Sequence, residues 1–262
     1  MIQLPIQFLR TRLRMMWRWT RNECRTSATS LLRVLAPALM LVASPCVAAD
    51  AVQVLDDGWR FQTGDDPTWA QPEHDDSDWK PIKVGMDWES QAAPDYNGFA
   101  WYRLHLDIPA DVSLPQGTLR LQLGAIDDVD ETWFNGEQIG ATGSFPPDYG
   151  SSWSAARNYL VPERLVRPGE DNVIAVRVYD GDGRGGMVDG PYELAPATLG
   201  DLLTVSFDLG RGDGVFTEEA ALPIKVQVKN ASPEDYAGRC AWTVANDEGK
   251  TLSTQESPVK LP

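Results

Sequence analysis

Three times between Ala100 and Pro191 the chain alternates apolar and polar residues with a period of two. Leu104, Leu106 and Ile108 alternate with Arg103, His105 and Asp107; Leu119, Leu121 and Leu123 with Arg120 and Gln122; Ile174, Val176 and Val178 with Ala175, Arg177 and Tyr179. A strand turns successive side chains to opposite faces, so each run offers one apolar face that must be packed in a sheet. Asn135-Gly136 separates DETWF from EQIGATG. That pair suits a two-residue hairpin, because a type I′ turn needs positive φ at both central positions. No long run with helical spacing competes with these strands. The expected fold is all-β, a jelly-roll β-sandwich spanning residues 50–196.

PATLGD, from Pro196 to Asp201, reads as a linker. LLTVSFDL, LPIKVQVKN and CAWTVAND follow it, alternating strands of the kind found in immunoglobulin-like sandwiches. Such a sandwich takes about 100 residues, and 61 follow Asp201 in a chain of 262. Residues 202–262 are therefore expected to form an incomplete immunoglobulin-like domain.

The first 49 residues differ in kind. Seven arginines stand there against one acid, Glu23, and the apolar run VLAPALMLVASPCVAA follows from Val34 to Ala49. A basic start, a short apolar stretch and small residues at the end describe a secretory signal peptide over 1–49, cleaved after Ala48 or Ala49. The run holds two prolines and falls short of the ~20 residues that a membrane span needs. Export to the periplasm or the extracellular space is expected, with no membrane attachment after cleavage.

Removing the signal takes seven of the 23 basic residues and one of the 38 acids, leaving 16 against 37 and a net charge of −21. So acidic a surface repels phosphate backbones and argues against nucleic acid as a partner. Cys240 is the one cysteine left after cleavage, so no intrachain disulfide is expected, and an exported domain of this size can do without one.

The order of short motifs adds a resemblance. LDDGWRF and HDDSDWKPIKVGMDWE are followed by AWYR and its strand, then by GAIDDVDETWFNGEQIG and NVIAVRVYDG. From Leu55 to Tyr192 this series resembles the N-terminal sugar-binding domain of glycoside hydrolase family 2, the β-galactosidase and β-glucuronidase family, whose fold is a galactose-binding-like jelly roll. GSFPPDYGSSW and GGMVDGP are also similar to the jelly-roll insert of sialate O-acetylesterases. The resemblance implies a carbohydrate partner and a downstream catalytic barrel, which would need ~250 further residues. It implies that this chain is the non-catalytic, carbohydrate-binding N-terminal part of an exported enzyme. A stand-alone glycan-binding or extracellular sensor module, and an accessory domain of a carbohydrate esterase, are the alternatives.

Candidate residues follow from that reading. Sugars present apolar C–H faces to flat aromatic rings with polar groups nearby. Trp88, Trp133 and Trp153 are candidate platforms, with core packing as the alternative for each, and Arg157 is a candidate donor to sugar hydroxyls. Trp133 and Phe134 point to opposite sheet faces, so one of them faces outward or into a cleft. By resemblance, Asp180 in VYDG matches the loop position that contacts sugar hydroxyls in the family.

Asp127, Asp128, Asp130 and Glu131 supply carboxylates, but without a surrounding barrel they read as a solvated turn, and no catalytic residue is assigned. No cofactor is required. Calcium is the candidate ion, because hard cations take six to eight oxygens, and DGDGRGGMVD offers Asp180, Asp182 and Asp189. The loop departs from an EF-hand, with Arg184 at a ligand position and Pro191 where that motif ends in Glu.

Overall fold

The computed structural model of the protein describes residues 2–6, 13–20, 53–114, 116–208, 222–232, 235–246 and 251–261. The chain divides into two compact units, Ala48–Thr198 in one and Met1–Val47 with Leu199–Pro262 in the other. Two strands come first, β1 (Ile2–Ile6) and β2 (Leu13–Thr20). Ten more build the first unit: β3 (Gln53–Val54), β4 (Arg60–Thr63), β5 (Lys80–Pro81), β6 (Gly98–Asp107), β7 (Thr118–Asp127), β8 (Val129–Phe134), β9 (Glu137–Thr142), β10 (Ala156–Pro162), β11 (Asp171–Asp180) and β12 (Gly186–Pro196). The last four are β13 (Leu203–Asp208), β14 (Leu222–Asn230), β15 (Tyr236–Asn246) and β16 (Thr251–Leu261).

The first unit is a β-sandwich of a six-stranded sheet, β5-β4-β6-β11-β8-β9, and a four-stranded sheet, β10-β7-β12-β3. All its strand pairs are antiparallel. The alternating runs supply the core between the sheets. Leu104, Leu106, Ile108, Leu119, Leu121, Leu123, Ile174, Val176 and Val178 are all buried in one cluster, joined by Trp59, Phe61 and Tyr102. Burying such side chains contributes ~1.5–3 kcal/mol each, which is why period-two patterning selects this fold. The predicted hairpin is present: β8 and β9 meet at Asn135 (φ 49°) and Gly136 (φ 84°). The Asn135 side chain also accepts from Val173 N–H and donates to the Leu165 carbonyl and Asn172.

The outer face of the six-stranded sheet is not simply solvated. The segment before β5 folds over it and brings Trp69 and Trp79 against Trp101, Trp133 and Ala175 in a second apolar cluster. Trp133 stacks on Trp101 with ring centroids 5.1 Å apart, while Phe134, its neighbour, is fully buried in the main core. Arg103 faces this covered side and has no exposure. Its guanidinium pairs with Asp76 at 2.8 Å and donates to the carbonyls of Trp69, Gln71 and His74. One arginine therefore pins the whole covering segment.

The second unit holds two three-stranded sheets, β1-β14-β13 and β16-β15-β2. β1 runs antiparallel to β14 from Ile2↔Val226 to Ile6↔Leu222, and β2 to β15 from Leu13↔Asn246 to Thr20↔Arg239. Both leading strands lie inside the segment read as a signal peptide, whereas its apolar run, Val34–Ala49, lies outside the described residues. Cys240 has a described backbone position in β15. Among the described residues no helix is long and apolar enough to cross a membrane.

Candidate functional site

Strand register gathers the acidic motifs at one end of the sandwich. Asp180, the last residue of β11, lies opposite Gly98, the first of β6. Tyr179 lies opposite Val129 of β8, and Gly186 of β12 opposite Asp127 of β7. The segments 85–97, 143–155 and 181–185 therefore leave the sheets at the same rim. They are tied together by backbone: Trp88 N–H donates to the Gly185 carbonyl at 3.0 Å, Gly85 N–H to Met187 at 2.8 Å, and Ser152 N–H to Asp128 at 3.0 Å.

Asp128 is the hub. Its carboxylate accepts from the Tyr149 and Ser151 hydroxyls and from Gly181 N–H at 3.0 Å. Burial pushes its pKa up, but those three donors outweigh burial and hold the carboxyl below its ordinary value. Asp127 has the opposite fate. Burial, the hydrogen bond with the Asp128 carboxylate and the nearby negative charges raise its pKa to about 7. Asp180 is fully buried and raised to about 6, chiefly by burial, with the charges of Asp128 and Glu89 adding to it. One Asp180 oxygen accepts from Asp182 N–H at 3.1 Å; the other, Oδ2, has no hydrogen-bond partner among the described residues. Like charges at close range oppose joint ionisation, so near neutrality this rim carries a proton among its carboxyl groups.

Below the rim lies a second buried acid. Asp130 and Arg157 are both fully buried and paired at 2.8 Å. Asp130 also accepts from Thr132 and Tyr159 at 2.8 and 2.9 Å, and Arg157 donates to the carbonyls of Asp128, Ser152 and Ala155. Burial raises the Asp130 pKa and Arg157 opposes that shift. This network locks β8, β10 and the segment 143–155 together.

The sequence-derived candidates separate cleanly by exposure. Trp153 stands in the segment 143–155 and is 61% exposed. Tyr149, missed in the sequence, is 42% exposed beside it. The Gly-, Pro- and Ser-rich composition of GSFPPDYGSSW was the available signal for such a displayed segment. Trp133 is half-buried on the outer sheet face and stacked on Trp101. Trp88 is fully buried, so its ring fills the core and is no open platform; its Nε1–H donates to Tyr96 and its ring backs Gly185. Arg157 is likewise no surface donor, because Asp130 and three carbonyls absorb its guanidinium.

Asp180, Asp182 and Asp189 do not converge as an ion site. Asp180 is buried, whereas Asp182 and Asp189 are exposed, and among the described residues no three acidic, histidine or cysteine side chains come together in a way that could hold a metal ion.

The family model for the beta-galactosidase second all-beta domain matches residues 64–183, which span β5 to β11. A beta-glucuronidase from Bacteroides uniformis has the same fold at 22% identity and a TM-score of 0.50, covering 80% of this chain and 26% of its own. A putative beta-galactosidase from Bacteroides fragilis is similar at 18% identity and a TM-score of 0.48, covering 79% of this chain and 33% of its own. No curated protein matches the chain. The sandwich shares the fold of that beta-glucuronidase, and its residues 64–183 are similar to the beta-galactosidase second all-beta domain. The chain spans about a quarter to a third of the length of these solved structures.

Proposed function

We propose that this chain is the non-catalytic, carbohydrate-binding part of an exported glycoside hydrolase, and that a catalytic domain elsewhere in the enzyme completes its site. One observation carries the reading: two exposed aromatic rings, Trp153 and Tyr149, stand at the rim that also holds Asp127, Asp128 and Asp180. An exposed ring beside hydrogen-bonding carboxyls is the chemistry that receives a pyranose, with its apolar face on the ring and its hydroxyls on the acids. Asp180, which the resemblance assigns to sugar hydroxyls, lies fully buried beneath this rim and is not counted among the exposed contacts. No pair of these carboxyl groups is assigned to cleave a glycosidic bond.

Export follows from the signal reading of residues 1–49. Cleavage after Ala48 or Ala49 would remove β1 and β2, and N-terminal sequencing of secreted protein locates the cut.

Calorimetry against a glycan panel tests the binding claim. The intact chain should release heat with at least one glycoside, and Trp153→Ala should abolish that heat while leaving the fold intact by circular dichroism. No heat with any glycan from the folded chain sinks the claim. The chain alone should release no chromogenic product from β-galactosides or β-glucuronides.

A further inference from the structure

The outer face of the four-stranded sheet is interrupted where β7 carries Gly124 and so offers no side chain. Both neighbours of β7 change register at that level, β10 between Arg157 and Asn158 and β12 on either side of Asp189. Such irregularities bend a strand and re-aim its side chains. Between β10 and β12, with β7 as its floor, lies a cavity of about 160 Å³. Gln122 and Asn158 line it, and Gln122 Nε2 donates to Asn158 Oδ1 at 2.7 Å. That bond fixes both amides and leaves the Gln122 carbonyl oxygen and the Asn158 N–H groups for a ligand. Ser154 and Asp189, both exposed, add a hydroxyl and a carboxylate to the lining. The one cation in the lining, Arg157, is spent on Asp130 and three carbonyls. Donors and acceptors side by side suit a polyol, whose hydroxyls both donate and accept, whereas a phosphate asks for available cations.

The cavity has room for on the order of five waters, so it takes one unit of a longer ligand. Ser154 follows the exposed Trp153 directly in the chain. Consecutive Cα atoms are ~3.8 Å apart, less than the span of a pyranose and its linkage. The geometry points to a second glycan contact: this cavity holds the next sugar unit of a chain whose first unit stacks on Trp153. The protein therefore prefers linear oligosaccharides to single sugars. The inference rests on the reading of Trp153 as a glycan platform and extends it from one ring to a run of at least two.

Calorimetry of the full chain compares each simple glycoside of the panel with its linear tetrasaccharide. Methyl β-galactopyranoside is set against galactotetraose, methyl β-glucopyranoside against cellotetraose and methyl β-xylopyranoside against xylotetraose. For the sugar that binds, the tetrasaccharide should bind about tenfold more tightly or better, the contribution of one or two net hydrogen bonds. Side-chain amide NMR signals of Gln122 and Asn158 should shift with the tetrasaccharide and stay in place with the single sugar. Two variants remove the contact in different ways: Gln122→Ala/Asn158→Ala deletes its hydrogen bonds, and Ala156→Leu fills the cavity from an exposed position. Each, folded by circular dichroism, should bring the tetrasaccharide to within about threefold of the single sugar. Equal affinities in the parent chain overturn the inference while the glycan reading of Trp153 survives. An advantage that persists in both variants, or amide signals that stay in place with the tetrasaccharide, does the same. Absence of heat from every sugar of the panel removes the Trp153 site itself, and the inference with it.

Discussion

At the scale of single residues, exposure and charge pairing separate what binds from what holds. Arg157 has the composition of a sugar-binding residue and the surroundings of a structural one. Asp130→Asn would leave its guanidinium buried without a counter-charge, and breaking a buried pair from one side costs about 3–5 kcal/mol. The expected result is a large fall in the urea midpoint of the sandwich, followed by tryptophan fluorescence. Phe134 and Trp133 show what sequence can give at this scale. Period two put them on opposite faces, and they are. It could not tell that Arg103 would be buried with the apolar residues, because the outer sheet face is covered by a segment distant in sequence. Nor could it show Trp88 as core, since a tryptophan in a loop reads the same whether it faces in or out.

At the scale of elements, turn chemistry was the most legible part. Asn135-Gly136 fixed both the β8–β9 hairpin and its register because few residues tolerate positive φ. Asn135 does more than turn the chain, since its amide also ties β11 and the residues after β10 to the hairpin. Asn135→Ala should therefore destabilise the sandwich by about 2 kcal/mol, more than a turn residue alone, through lost hydrogen bonds and φ strain. Denaturant unfolding measures it, and a cost below half that value would show that these bonds are dispensable. β7 carries a stricter constraint. Gly124 has φ 58°, and a Cβ there would sit 1.7 Å from the Asp189 carbonyl oxygen. The place where β12 bulges past β7 thus admits glycine alone, a requirement that no local pattern around Gly124 announces. The pairing of β1 and β2 with β14 and β15 is testable by hydrogen exchange. Amides of β14 and β15 should exchange faster in residues 50–262 than in the full chain.

At the scale of the whole molecule, the acids set how stability responds to pH. Asp127 and Asp180 are raised to about 7 and about 6 in the folded state, against an ordinary value of 3.8. The folded chain therefore binds more protons than the unfolded chain between about pH 4 and pH 7. Stability from these two groups falls as pH rises through that window. Asp128, held low, acts in the opposite sense, contributing stability at neutral pH that is lost in acid. Asp127→Asn keeps a donor toward Asp128 without the charge. It should match the parent chain near pH 5 and exceed it at pH 8, as read from urea midpoints at both pH values. Equal stability at pH 8 would count against a strained carboxyl pair. The sandwich itself was readable from alternation and motif order, whereas this rim was not, because Asp127, Asp128 and Asp180 meet through register between strands far apart in sequence.

The two leading strands carry a consequence for timing. On the ribosome β1 emerges first, and its partner β14 follows more than 200 residues later, since Ile6 pairs with Leu222. At typical rates of synthesis that gap lasts roughly 10–40 s. Throughout it, β1 has no partner strand to join. If the leading segment is the export signal proposed above, the order of synthesis lets it be read before β14 and β15 exist to pair with β1 and β2.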